Sequence, residues 1–304
     1  MIVASDLTKK YGQENAVNRL NLEIPKGQFF GLLGPNGSGK TTTIHMLATL
    51  LSPTSGSVTI NGVDISRNPQ QVRRDIGLVF QESALDRMLS VEENLYFCAG
   101  LYDIKRKNIE DRINSLLDLF DLKAKRNAPV GSLSGGMRRA IDIIRGVLHS
   151  PSVLFLDEPT VGLDLPSRRR IWRFIQQLIE DQKLTVILTT HYLEEAAPCD
   201  KVAFIKKGSL VTSDSPQILV DKFGQLIIEA TVHNSNLIMQ DLGIPYSEYT
   251  NEGSTLLIRI GNQNNLSVDE IQNKLKTKAE KISIRKPNLN DVFLWLSGNE
   301  KGFD

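Results

Sequence analysis

The chain has 304 residues, 40% hydrophobic and 23% charged, with a formal net charge of +1. That length allows a large core and about two domains, and the near-zero charge removes any electrostatic case for nucleic acid as the main partner. The two cysteines, Cys98 and Cys199, fit no metal or redox spacing, which makes a reducing cytoplasm the default; no apolar run reaches the length of a membrane span, and Met1–Asp6 carries no secretory pattern.

In chain order, residues 1 to 30 read as strands, with Leu20, Leu22 and Ile24 alternating with polar neighbours before a Pro25-Lys26-Gly27 turn. Phe29 to Leu33 is a short apolar run of the kind a buried strand shows. It leads into Gly34-Pro35-Asn36-Gly37-Ser38-Gly39-Lys40-Thr41, which fits the phosphate-binding pattern G-x-x-x-x-G-K-[ST]. The stretch Thr42 to Leu51 follows with Ile44, Leu47, Ala48 and Leu51 at helical spacing. A glycine-rich loop between strand and helix lets backbone N–H groups converge on an anion, and the helix adds its positive end. Lys40 is expected to reach the β- and γ-phosphates and Thr41 to hold Mg²⁺.

Past a turn at Pro53–Gly56, Ser57 to Asn61 reads as a strand. Ile76 to Phe80 is a further apolar strand, ending at Gln81. From Val91 to about His149 the pattern is helical, with Ile113, Leu116, Leu117, Phe120 and Leu122 on one amphipathic face. Strands return at Val153–Leu156 and Thr185–Thr190, each preceded by a helix as parallel βαβ units require. Composition shifts near residue 220. Beyond it, strands are expected at Leu226–Val232, Thr255–Ile260 and Ile282–Arg285, and helices at Asn236–Leu242, Val268–Lys281 and Asn290–Leu296, a small α+β domain.

Strand ends in such a sheet form its ligand edge. Asp157-Glu158 closes one strand: Asp157 is expected to bind Mg²⁺ through its waters, and Glu158 to act as general base on the attacking water. His191 closes another. It either bridges the γ-phosphate and the catalytic carboxylate or is an ordinary satisfied polar residue. Gln81 is a candidate ligand for Mg²⁺ or for the attacking water. Leu133-Ser134-Gly135-Gly136-Met137 precedes a helix with Ala140, Ile141, Ile143, Ile144, Val147 and Leu148 on its apolar side, so it is either a second anion site at a helix N-terminus or an ordinary cap with a flexible lead-in. One nucleotide needs one phosphate loop, so an anion site here would serve a different nucleotide, on a neighbouring chain.

The ordered set Gly34–Thr41, Gln81, Leu133–Met137, Asp157-Glu158, Gly162-Leu163-Asp164 and His191 resembles the ATP-binding subunits of ABC transporters, over about residues 1 to 220. The resemblance implies an α/β P-loop ATPase core with a mixed sheet around the phosphate-loop helix. A helical subdomain at about 82–150 and an accessory α+β domain at 221–304 complete the expected organisation. It implies ATP held by Gly34, Asn36, Gly37, Ser38, Gly39, Lys40, Thr41 and Thr42, with Thr41, Gln81 and Asp157 around Mg²⁺ and Tyr11 stacked on adenine. It further implies a head-to-tail dimer, with itself or a paralogous ATPase. In that dimer Ser134, Gly135 and Gly136 close the partner's ATP site and Asp164 lies at the interface.

Two departures stand out: the signature ends in Met137 where the family usually has glutamine, and Gly162 replaces a usual serine or alanine. Pro159–Asp164, Met137-Arg138-Arg139 and the tail Lys286–Leu294 resemble the daunorubicin-resistance branch, ATPases of drug, antibiotic and lipid exporters. That implies a peripheral protein on the cytoplasmic face of the membrane, working through an integral-membrane permease and not through nucleic acid. Glu82 to Phe97, with Leu85, Met88, Leu89, Val91 and Leu95, is where the resemblance puts the groove for the permease, unless those residues only pack the helical insertion. Phe293, Leu294 and Leu296 read as packing residues. An importer ATPase, or a soluble ABC protein acting on ribosomes or DNA, remains the alternative.

Overall fold

The computed structural model describes residues 1–102, 104, 106–233, 238, 249–260 and 267–298. The chain divides into two compact units, one of Met1–Tyr192 with Cys199–Leu210, the other of Leu193–Pro198 with Val211–Asp304.

The first unit opens with β1 (Ile2–Tyr11), β2 (Glu14–Ile24) and β3 (Phe29–Leu33), then α1 (Lys40–Leu47), β4 (Ser55–Ile60), β5 (Val63–Asp64), α2 (Pro69–Asp75) and β6 (Ile76–Val79). A helical stretch follows, α3 (Val91–Leu101), α4 (Arg106–Leu119) and α5 (Gly135–Val147). The sheet resumes with β7 (Val153–Asp157), α6 (Leu165–Gln182), β8 (Thr185–Thr190), β9 (Lys201–Lys206) and β10 (Ser209–Asp214), of which only Ser209 and Leu210 belong to this unit. β2-β1-β4-β5 form an antiparallel sheet, and β10-β9-β3-β8-β7-β6 form the second sheet, in which β9, β3, β8, β7 and β6 run parallel. Every residue of β3, β7 and β8 is buried, the pattern of parallel strands covered on both faces. Helix α1 joins the two sheets: Ile44, Met46 and Leu47 share one core with Ile2, Leu20, Phe30 and Phe155.

Register fixes where the strands stop. Leu33 lies beside Thr190, Asp157 beside Thr189, and Val79 beside Leu156. The residues that follow β3, β8, β7 and β6 therefore emerge at one edge. In the helical stretch, Ser90 and Glu93 form a reciprocal capping box that starts α3, and Ile113, Leu116, Leu117, Phe120 and Leu122 are all buried as their spacing predicts. Cys98 and Cys199 are buried and form no disulfide.

The second unit holds α7 (Leu193–Ala196), α8 (Pro216–Phe223), β11 (Leu226–Val232), β12 (Tyr249–Glu252), β13 (Thr255–Ile260), α9 (Val268–Leu275), β14 (Ala279–Arg285) and α10 (Leu289–Gly298). Its sheet, ordered β12-β13-β11-β14, is antiparallel throughout. Ile271 and Leu275 of α9 pack on Ile228, Leu256 and Ile258. Asp291, buried in the expected tail motif, accepts from Arg285 Nη1 at 2.7 Å and Nη2 at 2.8 Å and from the Asn288 amide at 2.8 Å. The tail motif is thus an anchor between β14 and α10. Of the apolar residues expected to pack here, Leu296 is buried, while Phe293 and Leu294 are half-buried. Asp291→Ala should destabilise this unit by about 2 kcal/mol, because the Asn288 amide and Arg285 lose their buried acceptor while Arg285 keeps Glu229 at 3.1 Å. Urea unfolding followed by the fluorescence of Trp295 in a Trp172→Phe background would measure it.

Three expectations need correction. The helix expected over Thr42–Leu51 ends at Leu47, where Thr49 turns left-handed at φ 63°. The helix expected over Val268–Lys281 ends at Leu275; Ala279–Lys281 instead join β14, because pairing with β11 outweighs a local helical pattern. In the expected permease groove, Leu85, Val91 and Leu95 are buried, Leu89 is half-buried and Met88 is exposed, so only part of the expected apolar lining is accessible. The expected helix Asn236–Leu242 lies outside the described residues apart from Ile238, which is helical and buried.

Candidate nucleotide site

The loop after β3 curls where only glycine fits. Gly39 has φ 103°, and a Cβ there would lie 2.4 Å from the Ala16 carbonyl. Gly39 also opens α1 without any side-chain cap, so the first amides of that helix are not claimed by a local acceptor. The turn after β9 braces the loop: the Gly208 amide donates to the Ser38 carbonyl at 3.0 Å. Lys40 donates to the carbonyls of Gly34 at 2.9 Å and Pro35 at 3.0 Å. Burial pushes its ammonium below the usual lysine range, against an upward pull from Glu158 and Asp157. Ser38 is 2% exposed, and its hydroxyl oxygen is buried with no hydrogen-bond partner among the described residues.

A cleft of about 1020 Å³ opens at this strand edge. Asn36, Gly37, Gly39, Lys40, Thr41 and Thr42 line one side, Gln81, Glu158 and His191 the other, and Tyr11 stands at the rim, 54% exposed. Asp157 lies beneath. Its Oδ1 accepts from Thr41 Oγ1 at 3.1 Å and Thr189 Oγ1 at 2.5 Å, while His45 Nε2 is 4.0 Å from Oδ2. Glu158 has φ 44°, a conformation that costs a non-glycine residue energy. Its amide donates to Thr189 Oγ1 at 3.0 Å, and His191 Nδ1 lies 3.4 Å from its Oε1.

The donor set suits a nucleotide and its cation. An uncapped helix end, a buried orphan hydroxyl and a buried ammonium match phosphate. The oxygens of Thr41, Gln81 and Asp157 are the hard donors that magnesium takes.

Ser134, Gly135, Gly136 and Asp164 do not join this cleft. Ser134, Gly136 and Asp164 line a separate cavity of about 270 Å³, together with Met137 and Ser167. Ser134 caps α5 by accepting from the Met137 amide at 3.3 Å, and Asp164 caps α6 by accepting from the Ser167 amide at 2.7 Å. The Ser167 amide, with the Ser167 hydroxyl, holds the Asp164 carboxyl below the usual carboxylate range. A Cβ on Gly136 would lie 2.4 Å from Ser167 Oγ, so glycine permits the close approach of α5 and α6. Gly162 sits at φ 75°, where glycine is freer than the serine or alanine usual in the resembled family.

Several residues of this region carry little signal along the chain. Thr189 could have been found as a polar residue in an otherwise apolar strand. Lys207, which lines the cleft, had only a Lys-Gly turn to mark it. Arg139, buried under the cleft, had no signal separating it from Arg138.

Residues 17–161 match the family model described as ABC transporter. The Nod factor export ATP-binding protein I of Rhizobium etli is 34% identical over 300 residues, which cover 97% of this chain and 93% of that protein. The daunorubicin/doxorubicin resistance ATP-binding protein DrrA of Streptomyces peucetius is 34% identical over 308 residues, covering 98% and 92%. Among solved structures, the dimeric post-hydrolysis state of the ATP-binding cassette MJ0796 bound to ADP and Pi aligns with a TM-score of 0.65 and 27% identity. It covers 71% of this chain and 98% of that one.

Proposed function

Because this chain belongs to the ABC transporter family, on 34% identity across 97% of its length, we propose that it is the ATP-hydrolysing subunit of an exporter, working through a separate membrane subunit. The observation that carries this reading is the single cleft that gathers Lys40 and Thr41 with Gln81, Glu158 and His191. The export direction is supported by relatives named for export and for drug resistance, whose similarity spans both units of the chain. No observation favours an importer or a soluble ABC protein.

In this reading Tyr11 stacks on adenine. Gly34, Asn36, Gly37, Ser38, Gly39, Lys40 and Thr42 hold the phosphates. Thr41, Gln81 and Asp157 would hold Mg²⁺, which would supply charge neutralisation for the phosphates. Water attacks the γ-phosphorus in line, its proton passes to Glu158, and the bond to the ADP oxygen breaks, releasing ADP and phosphate. His191 steadies the Glu158 carboxylate, and buried Thr189 keeps Asp157 aimed at the loop. Two chains, identical or paralogous, pair head to tail. Ser134, Gly135 and Gly136 of one then meet the γ-phosphate held by the other, with Asp164 at the interface.

The membrane subunit docks on the apolar surface that remains exposed. Met88 is 88%, Phe97 67% and Leu101 69% exposed. Phe97 and Leu101 share a face of α3 at i, i+4 spacing. Leu101 and Leu50 rim an adjoining 240 Å³ pocket floored by Leu78, Phe80 and Cys98. No helix among the described residues is long and apolar enough to cross a membrane, and this docking holds the chain peripherally at the cytoplasmic face. Co-purification from membranes in mild detergent tests the reading. A polytopic membrane protein in near-equal amount is expected. Recovery only from the soluble fraction, with ribosomes or DNA, would overturn export.

A further inference from the structure

Arg139 lies on α5, 7% exposed, five residues after the Ser134 cap. Its guanidinium donates to backbone carbonyls at the ends of two neighbouring strands. On the β7 side it reaches Pro159 at 2.5 Å, Asp157 at 3.2 Å and Glu158 at 3.3 Å. On the β6 side it reaches Phe80, and Gln81 at 3.5 Å. One helical turn on, Asp142 is 1% exposed and its Oδ1 accepts from the Ala84 amide at 3.3 Å. Helix α5 thus grips segment 80–84 by its carbonyls and by an amide, and grips 157–159 with the same guanidinium. A planar fork can serve several carbonyls at once; a lysine ammonium is a point charge and cannot replace that geometry.

We propose that Arg139 is the positioning residue that locks Gln81 and Glu158 in register with α5. Engagement of Ser134–Gly136 by the partner chain's nucleotide is thereby transmitted to hydrolysis in this chain's own cleft. The inference rests on the head-to-tail dimer. Its physical basis is a continuous path: the N-terminus of α5, one rigid helix, one buried guanidinium, and the backbone from which the general base projects. A small misplacement of a base costs far more turnover than binding, so kcat is the quantity affected.

The test is steady-state ATP hydrolysis by the full chain and its Arg139→Lys and Arg139→Gln variants, alongside ADP affinity by calorimetry. We expect kcat to fall about 10- to 100-fold in both variants, ADP affinity to stay within about twofold, and the Hill coefficient for ATP to drop towards one. Turnover by folded Arg139→Lys equal to the parent's, even with a lowered melting temperature, would make the residue merely structural and overturn the proposal. Hyperbolic kinetics in the parent chain would overturn it without any variant. Glu158→Gln separates the two readings. If it abolishes hydrolysis while Arg139→Lys is fully active, only this inference falls; if Glu158→Gln still turns over, the site assignment falls and this inference with it.

Discussion

Glu158→Gln should bind ATP with near-parental affinity, lose about 10²- to 10⁴-fold in hydrolysis, and accumulate as an ATP-bound dimer. The amide keeps the volume and the hydrogen-bonding reach of the carboxylate but cannot take a proton from water at neutral pH. The backbone there does not depend on that side chain, since the Glu158 amide, not its carboxylate, makes the contact with Thr189, and the amide side chain can still reach His191, 3.4 Å from the carboxylate in the parent. Product formation by phosphate release and mass by size exclusion with ATP would measure both parts. Retained turnover would remove Glu158 as the base.

Lys40→Ala should act on binding instead. The ammonium is buried in the loop, held by the Gly34 and Pro35 carbonyls and flanked by two carboxylates, so it contributes charge where phosphate arrives and water is scarce. Its loss should weaken ATP binding by about 100-fold, some 3 kcal/mol. Burial lowers the Lys40 pKa. The parent's affinity should therefore decline as pH rises before the ordinary lysine range is reached, since deprotonation removes the charge, whereas the variant should lack this step. Equal nucleotide affinity in parent and variant would overturn the phosphate-loop assignment.

Much of the site was legible along the chain because its parts are local. The loop Gly34–Thr41 is a contiguous turn whose glycines are needed for its own backbone path, and Ser134 and Asp164 cap helices that begin at the next residue. Gln81, Glu158 and His191 could be placed because parallel strands end where their apolar runs end. That they share one cleft follows from register, Leu33 beside Thr190 and Asp157 beside Thr189, which no single segment encodes.

What the sequence by itself determined is therefore the chemistry of each strand end and the helix starts, since those depend on residues adjacent in the chain. Only the tertiary structure decided which apolar residues stay exposed, where the helix after Val268 yields to β14, and that Arg139 rather than Arg138 turns inward to join β6 to β7. These depend on partners 18 to 59 residues distant or more, and a buried guanidinium is tolerated only where folding has already brought enough carbonyls together to receive it.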